Sequence, residues 1–469
     1  MPTLKIVNIT PRSLSGDIGQ MGEPNLAVNP ENPDEIVATA FTPDPMGGPL
    51  APIYVSTDGG DTWVLRSVVP GGVPGTGTGD ITVGFTPTGG TLYAGILNAR
   101  LSTATRLRMQ ILRTPDARST TPMQILVDRG GPDQPWVVTE AVANGNGRGR
   151  VYVGNNDVGL SSGRTASVDA SDASPTAPAP SGFVATPIER RSTSGQDGPP
   201  VRIAAHPDGT VYAAFTSWQN RSGPDFRNVT FDVVVTRDDT GGVGPNPFRS
   251  LTDANGIAGQ KAAAQRFVVF DDEIDGQRLG GDLTIAVDPR DSASVWIAWC
   301  DRVGGPAGVD NTLHLQHSAD RGRTWSAART PPVNSVLSTA INPALAVNSD
   351  GLVGLLYQEF VEDQWRTVLE LTADGWQTAP ARQVLHQAAL RPSVSLNGKP
   401  FLGDYIRMIT VGRDFYGVFA GDNLPDNANF PAGVMYQRRA NFVTRQLFDV
   451  DGVHRVPTSL DPFFFHRAA

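Results

Sequence analysis

The chain has one cysteine, Cys300, in 469 residues. No internal disulfide can form, which fits a reducing compartment. No apolar run reaches the length of a membrane span. The start, Met1-Pro2-Thr3-Leu4-Lys5-Ile6-Val7, has neither the basic opening nor the apolar stretch of a signal peptide. The expectation is a protein that stays inside the cell, leaves by another route, or has been trimmed. Basic residues are in deficit, 38 Lys and Arg against 47 Asp and Glu, for a net charge of −9. That excludes the basic stripe of a nucleic-acid binder and disfavours anionic membranes. The six histidines show no metal spacing: His206 sits in a hairpin turn, and His314 and His317 do not share a strand face. There is no Walker loop, dinucleotide fingerprint or zinc pattern. The Gly145–Gly149 stretch reads as a hairpin turn, because no helix follows it.

What the chain has is turns and a repeat. It carries 51 Gly and 38 Pro, set between apolar runs as in a many-turned all-β protein. One phrase recurs. Its clearest copy is Glu23-Pro24-Asn25-Leu26-Ala27-Val28-Asn29-Pro30 followed by Glu35–Phe41. It returns as Asp282–Pro289 with Val295–Trp299, and as Asn342–Asn348 with Leu352–Tyr357. Each copy is two buried-looking strands around a Pro/Asn/Asp/Gly turn, a β-hairpin signature. Further copies open at Asp80, Asp133, Val201 and Asp404, which makes seven, at intervals of roughly 50–80 residues. The reading is an all-β, seven-bladed β-propeller with four-stranded antiparallel blades, a single domain over 1–469. The blades are expected at 23–70, 80–127, 133–190, 200–252, 282–330, 342–386 and 404–449. A Ser/Ala/Pro-rich stretch near 166–181 reads as loose strand and loop. An insertion is expected over 240–280, with the acidic run Asp271–Asp275. Strands near 434–438 and 442–448 would finish the last blade. The lone strand 4–9 would add at its outer edge and close the ring, leaving no unpaired edge at the seam.

Two turns share Ser-x-Asp-x-Gly-x-Thr-Trp: Ser56–Trp63 and Ser318–Trp325. Asp58 and Asp320 suit an Asx-turn, Gly60 and Gly322 suit positive φ, and Trp63 and Trp325 can pack between blades. Weaker copies end third strands at Asp116, Asp238 and Asp374. This pattern resembles the Asp-box (BNR repeat) of the sialidase-like β-propeller superfamily, in which the box joins the third and fourth strands and is structural. The resemblance implies a glycan-directed protein.

The slots that open the seven first strands are Glu23, Asp80, Asp133, Pro200, Asp282, Asn342 and Asp404. Second strands end at Asp157, Asp301, Glu359 and Asp422. One channel mouth is therefore expected to be crowded with carboxylates, whose mutual repulsion must be relieved. Three readings stay open. The acids cap strand ends, or they hold Ca²⁺ or another hard cation, or a pair serves as acid and base in glycoside chemistry. No cofactor is required by the last reading. The sialidase resemblance implies an arginine triad for a substrate carboxylate, a Tyr nucleophile assisted by Glu, and an Asp acid/base. The matching residues are Arg202, Arg302 and Arg407, with Tyr405, Glu359 and Asp404; Glu23, Asp80, Asp133 and Asp282 would contact the sugar. The expected partner is a glycan or polysaccharide, engaged by an exo-glycosidase. The alternatives are a non-catalytic propeller for adhesion or assembly, and a polysaccharide lyase using Tyr405 with Arg407.

Overall fold

A computed structural model describes residues 3–15, 21–42, 50–70, 79–97, 108–141, 149–160, 163–172, 182–269, 282–308, 311–331, 339–389 and 402–469. Among these residues the structure is all strand, with short 3-10 turns and no α-helix. No helix there is long and apolar enough to cross a membrane. The acidic run 271–275 and residues 173–181 lie outside the described residues.

The chain opens with β1 (Leu4–Asn8), which joins the last of the large sheets. Sheet I holds β2 (Asn25–Val28), β3 (Ile36–Thr39), β4 (Leu50–Ser56) and β5 (Val64–Pro70). Sheet II holds β6 (Ile81–Phe85), β7 (Leu92–Leu97), β8 (Arg108–Thr114) and β9 (Gln124–Gly130). Sheet III holds β10 (Pro132–Glu140), β11 (Arg150–Asp157), β12 (Ala166–Asp172) and β13 (Val184–Pro187). Sheet IV holds β14 (Val201–Ala205), β15 (Val211–Ser222), β16 (Asn228–Asp238) and β17 (Gln260–Val269). Sheet V has three strands, β18 (Leu283–Asp288), β19 (Asp291–Arg302) and β20 (Asn311–Ser318). Sheet VI holds β21 (Thr339–Val347), β22 (Val353–Val361), β23 (Gln364–Thr372) and β24 (Ala381–Ala389). Then come β25 (Arg407–Val411), β26 (Asp414–Asp422) and β27 (Met435–Tyr436), a small sheet of β28 (Arg439–Asn441), β29 (Gln446–Phe448) and β30 (Arg455–Val456), and finally β31 (Leu460–Arg467). Sheet VII runs in the order β25-β26-β31-β1-β27.

The recurring phrase builds its own hairpins. The side chains of Asn29, Asp288 and Asn348 accept N–H bonds from Glu31, Arg290 and Asp350 at 3.1, 2.9 and 3.0 Å, closing the turn between first and second strands. First strands pack in sequence, β2 on β6, β6 on β10, β10 on β14, β14 on β18, β18 on β21 and β21 on β25, and β25 and β26 return to β2. A first strand has no sheet partner on its inner side, so its inner N–H groups need other acceptors. Side chains at one repeat position supply them. Val83 N–H donates to Asn25 Oδ1 (3.1 Å), Val137 N–H to Thr82 Oγ1 (2.9 Å) and Leu345 N–H to Thr284 Oγ1 (3.1 Å).

Apolar clusters fill the spaces between consecutive sheets. Val55 and Val83 meet between I and II, Tyr93 and Val153 between II and III, and Tyr152 and Phe215 between III and IV. Tyr212 and Trp299 meet between IV and V, Leu315 and Tyr357 between V and VI, and Leu356 and Phe465 between VI and VII. Leu26 and Phe464 pack between VII and I. The strands read as continuous apolar runs because both of their faces are covered.

The two Ser-x-Asp-x-Gly-x-Thr-Trp turns have one geometry. Gly60 N–H donates to Ser56 Oγ (2.9 Å) and Thr62 N–H to Asp58 Oδ1 (2.9 Å); in the twin the pairs are Gly322–Ser318 (2.8 Å) and Thr324–Asp320 (2.9 Å). Gly60 has φ +90, and a Cβ there would lie 2.3 Å from the Phe464 ring. The first turn joins β4 to β5. The second follows β20, and among the described residues Ser326–Arg329 then forms no strand of its own, meeting β20 through the Ser326 N–H on the His317 carbonyl (2.8 Å) and the isolated Leu315–Arg329 bridge.

Three expectations are corrected. Of the closing strands expected at 434–438 and 442–448, only the first lies in sheet VII, as the two-residue edge strand β27 (Met435–Tyr436). The third strand is β31, with β1 beside it, and residues 446–448 belong to the small sheet. The reason lies in Phe463, Phe464 and Phe465, each fully buried and shared between the VI/VII and VII/I spaces. Each such phenyl ring contributes about 2 kcal/mol, which the exposed residues Val443, Thr444 and Arg445 do not match. The expected insertion at 240–280 yields the fourth strand of sheet IV, β17, at 260–269. The segment 4–9 does pair within the last sheet, but β27 adds parallel beyond it, so β1 is not the outermost strand.

Candidate functional site

First strands β10, β14, β18, β21 and β25 line a cavity of ≈ 340 Å³ at the hub. Its wall carries Trp136, Arg202, Asp282 and Arg407, with Glu140 further along β10. Arg202 occupies a position where Asn25, Thr82 and Thr284 bridge strands elsewhere in the ring. Its flanking residues Val201 and Ile203 pack outward between sheets III and IV, so strand alternation turns the guanidinium to the hub. Arg202 Nη2 and Nε donate to Asp282 Oδ2 at 2.9 and 3.3 Å. Its guanidinium carbon lies 4.0 Å from the centre of the Trp136 ring. Arg407 lies 4.6 Å from the same ring. Trp136 thus takes two cations, an arrangement its electron-rich face favours. Tyr405 meets Trp136 edge-on at 5.5 Å and lies 5.6 Å from the Arg202 guanidinium.

Asp404 sits just behind. Its N–H donates to Glu23 Oε1 (3.3 Å), and its Oδ2 accepts from Gln134 Nε2 (3.3 Å). Asn342 Nδ2 donates to the Gly403 carbonyl at 3.0 Å. The residues that open the first strands are therefore tied to one another around the hub. Three of them, Glu23, Gln134 and Asn342, have φ of +56, +46 and +53, and each precedes a proline. Non-glycine residues in this region carry strain of about 1 kcal/mol or more, held here by the surrounding packing.

The electrostatics of the hub are unusual for a structural core. Burial pushes Asp282 up to about 6, Arg202 and the Leu283 N–H pull against it, and Asp404 adds to the rise. Withdrawal from solvent and the charge of Arg202 bring Arg407 down to about 9. Burial, together with Asp80 and Glu23, holds the Tyr405 phenol well above its ordinary value. Burial raises Glu140 to about 7. Arg407 has no carboxylate partner among the described residues. Among the described residues Arg407 Nε, Arg202 Nη1 and Tyr405 Oη are buried without a hydrogen-bond partner.

The structure thus gathers Glu23, Asp80, Asp282, Asp404, Tyr405, Arg202 and Arg407 at one hub. It does not bring Glu359 there. Glu359 pairs with Arg382 on β24 at 2.5 Å, on the face that packs toward sheet V beside Tyr357 and Glu370. Arg302 ends β19 opposite Asn311, its stem against Gly308, and is not on the cavity wall. Asp133 is displaced by one residue, because a bulge between Asp133 and Trp136 puts Gln134 in the opening slot, and Asp133 Oδ1 accepts the Gln134 N–H at 2.9 Å. The acids that end second strands are clamped rather than free. Asp157 pairs with Arg129, and Asp301 with Arg266 and with His314 at 3.0 Å. Among the described residues no group of three His, Cys, Asp or Glu side chains is placed to hold a metal ion.

Sequence reading missed Trp136, Gln134 and Glu140. A signal was present: Glu23-Pro24, Gln134-Pro135 and Asn342-Pro343 share an X-Pro step, which aligns Gln134, not Asp133, with Glu23.

No family model matches the chain, and no curated protein matches its sequence. Solved structures do resemble it. A polysaccharide lyase, an ulvan lyase bound to -[GlcA(1-4)Rha3S]-, is 10% identical with a TM-score of 0.55 over 86% of this chain and 92% of that one. The endosialidase of phage phi92 is 12% identical at TM-score 0.44, over 100% and 69%. The Penicillium chrysogenum α-L-arabinanase complexed with arabinobiose is 14% identical at TM-score 0.43, over 76% and 94%. At such identities the likeness is one of fold. The chain is all-β, with stacked antiparallel sheets of the kind found in carbohydrate-active propellers.

Proposed function

We propose that the chain is a seven-bladed propeller of the sialidase-like, Asp-box kind, a single domain with sheets I to VII as its blades. We read it as a protein that takes an acidic sugar into its hub cavity and hydrolyses the glycosidic bond. One observation carries this reading: Arg407 faces the cavity over Trp136, beside Arg202, with no carboxylate to neutralise it among the described residues. A buried guanidinium left unpaired is costly, and a ligand anion relieves that cost. The Trp136 ring offers an apolar face to the same ligand.

The rest of the hub suits glycoside chemistry. Asp282, raised by burial to about 6, takes up a proton more readily than an ordinary carboxyl and can deliver it to a leaving oxygen. Tyr405 is the nucleophile, and the carboxylates acting on its phenol are Glu23, Asp80 and Asp404. In this scheme Glu23 or Asp80 takes the Tyr405 proton, the part first assigned to Glu359. Asp404 holds Gln134 and Glu23 in register.

A second reading draws on Tyr405 and Arg407 meeting at the same indole, 5.5 and 4.6 Å from its centre. In a lyase Arg407 would neutralise a uronate carboxylate while Tyr405 moves the adjacent proton. A panel of chromogenic glycosides, run beside uronate polymers, separates the readings. Hydrolysis lost in Arg407→Ala, Asp282→Asn and Tyr405→Phe supports the first. Release of unsaturated products absorbing in the near ultraviolet supports the second. No turnover, with glycan binding that depends on Arg407, leaves a binding propeller.

A further inference from the structure

The space between sheets V and VI holds a second cleft that shares no lining residue with the hub cavity. Two adjoining hollows make it, of ≈ 380 and ≈ 460 Å³, and Arg329, Leu315 and Gln377 line both. Among the described residues sheet V carries no fourth strand beyond the short bridge at Arg329, and the cleft lies beside that bridge.

Its wall carries a residue that the local backbone argues against. The turn Thr372–Thr378 repeats the bonding of the two full turns: Thr372 Oγ1 accepts the Trp376 N–H at 3.0 Å, as Ser56 and Ser318 accept from Gly60 and Gly322. Trp376 therefore stands in the glycine slot, and it does so at φ +62. A bulky side chain there costs about 1 kcal/mol or more. The indole is anchored, with Nε1 donating to Glu370 Oε2 at 2.8 Å and its edge on Trp296 at 5.8 Å. Trp296 in turn stacks on His317 at 4.2 Å. Half-buried Trp376 so forms one wall of the outer hollow, which runs on along Thr378 and Pro380.

Polar groups converge on the same cleft. Arg329 is exposed, rests one nitrogen on the Trp376 carbonyl at 2.6 Å, and has no ion-pair partner among the described residues. Gln316 lines the inner hollow and is 9% exposed, and its Oε1 is buried without a hydrogen bond among the described residues, while Nε2 donates to the Ser326 carbonyl. An indole wall, an exposed guanidinium without an ion-pair partner among the described residues and an amide oxygen without a donor among them match a sugar's apolar ring face, anionic substituent and hydroxyl donor in turn.

We propose that this cleft is a second, non-catalytic binding site for an acidic glycan, with Trp376 as platform and Arg329 as anion contact. The class of ligand rests on the reading of the hub; the position of the site does not. Such a site would hold a polymer on the flank while one residue of it enters the hub, and the two contacts would reinforce each other.

Affinity electrophoresis in gels containing polygalacturonate, chondroitin sulfate or dextran tests it. The wild-type protein should be retarded by at least one acidic polymer and not by dextran. Trp376→Ala and Arg329→Gln should each weaken that retardation about tenfold in apparent Kd. Arg407→Ala should abolish turnover yet keep the part of the retardation that Trp376 supplies. Arg329 is exposed, so Arg329→Gln leaves the fold intact, and an unchanged urea midpoint checks this. Retardation unaltered in both cleft variants overturns the proposal, as does its absence for wild type in both acidic gels. Either result leaves the hub reading to its own turnover assay.

Discussion

His386 gives a stability prediction whose sign and size both come from its surroundings. It lies on β24, 3% exposed, in the space between sheets VI and VII. Phe430 and Phe463 stand 4.9 and 5.8 Å from its ring, and Gly421 packs against it. Its Nε2 has no hydrogen-bond partner among the described residues. Burial lowers its pKa from 6.5 to about 4, and a contact with the Asp422 backbone offsets this only slightly. The folded state therefore prefers the neutral ring. The unfolded chain binds the proton first, so stability is fully present above about pH 6.5 and drains away as pH falls toward about 4. A shift of this size corresponds to roughly 3 kcal/mol. Asp282, Asp197 and Glu140 work the other way. Burial raises them to about 6, 7 and 7, so they cost stability at neutral pH and return it on acidification. The wild-type profile is their sum, and only a difference isolates the histidine. Urea unfolding of wild type and His386→Phe between about pH 7.5 and about pH 4.5 supplies it. The wild type should lose roughly 2–3 kcal/mol more than the variant over that range. Parallel profiles would show that the ring finds a partner or water on protonation, and the reasoning would fail.

Two further perturbations probe how the ring is held. Gly403 has φ +96, and a Cβ there would lie 2.3 Å from the backbone nitrogen of Glu23; Gly403→Ala should cost about 2 kcal/mol or more in chemical denaturation, and it should displace Asp404 and Glu23 and so lower any hub activity more than it lowers stability. Removing residues 1–10 strips β1 from between β31 and β27, along with buried Ile6, Val7 and Ile9 and the 2.7 Å bond from Asn8 to Asp461. The melting midpoint should fall by about 10 °C or more if the truncated chain folds at all, and an unchanged midpoint would mean that β1 adds nothing to the closure.

How much of this was legible in the sequence depended on whether a signal was local. The hairpin phrase announced itself because the residues that close its turn, Asn29, Asp288 and Asn348, are neighbours in sequence of the strands they join. The Ser-x-Asp-x-Gly-x-Thr-Trp turns were legible for the same reason, since the bonds that shape them run between Ser56 and Thr62 or Ser318 and Thr324. The third strand of sheet VII was not, because β31 pairs with β1 across almost the whole chain, and no local pattern encodes a partner at that distance. At the hub the difference was one residue. Alignment by charge chose Asp133, whereas the X-Pro step put Gln134 in the slot and turned Trp136 inward. A slip of one reverses every side chain on a strand, so charge is a weak guide to register and backbone constraint a strong one. The acids that end second strands teach the converse. Asp157, Asp301 and Glu359 were expected to crowd one channel mouth, Glu359 as a candidate catalytic residue, yet each meets an arginine on a fourth strand, Arg129, Arg266 or Arg382. On the proposed reading, the functional signal at the hub is therefore the cation without an acid among the described residues: where Asp157, Asp301 and Glu359 each have their arginine, Arg407 has no carboxylate and would take its partner from a ligand.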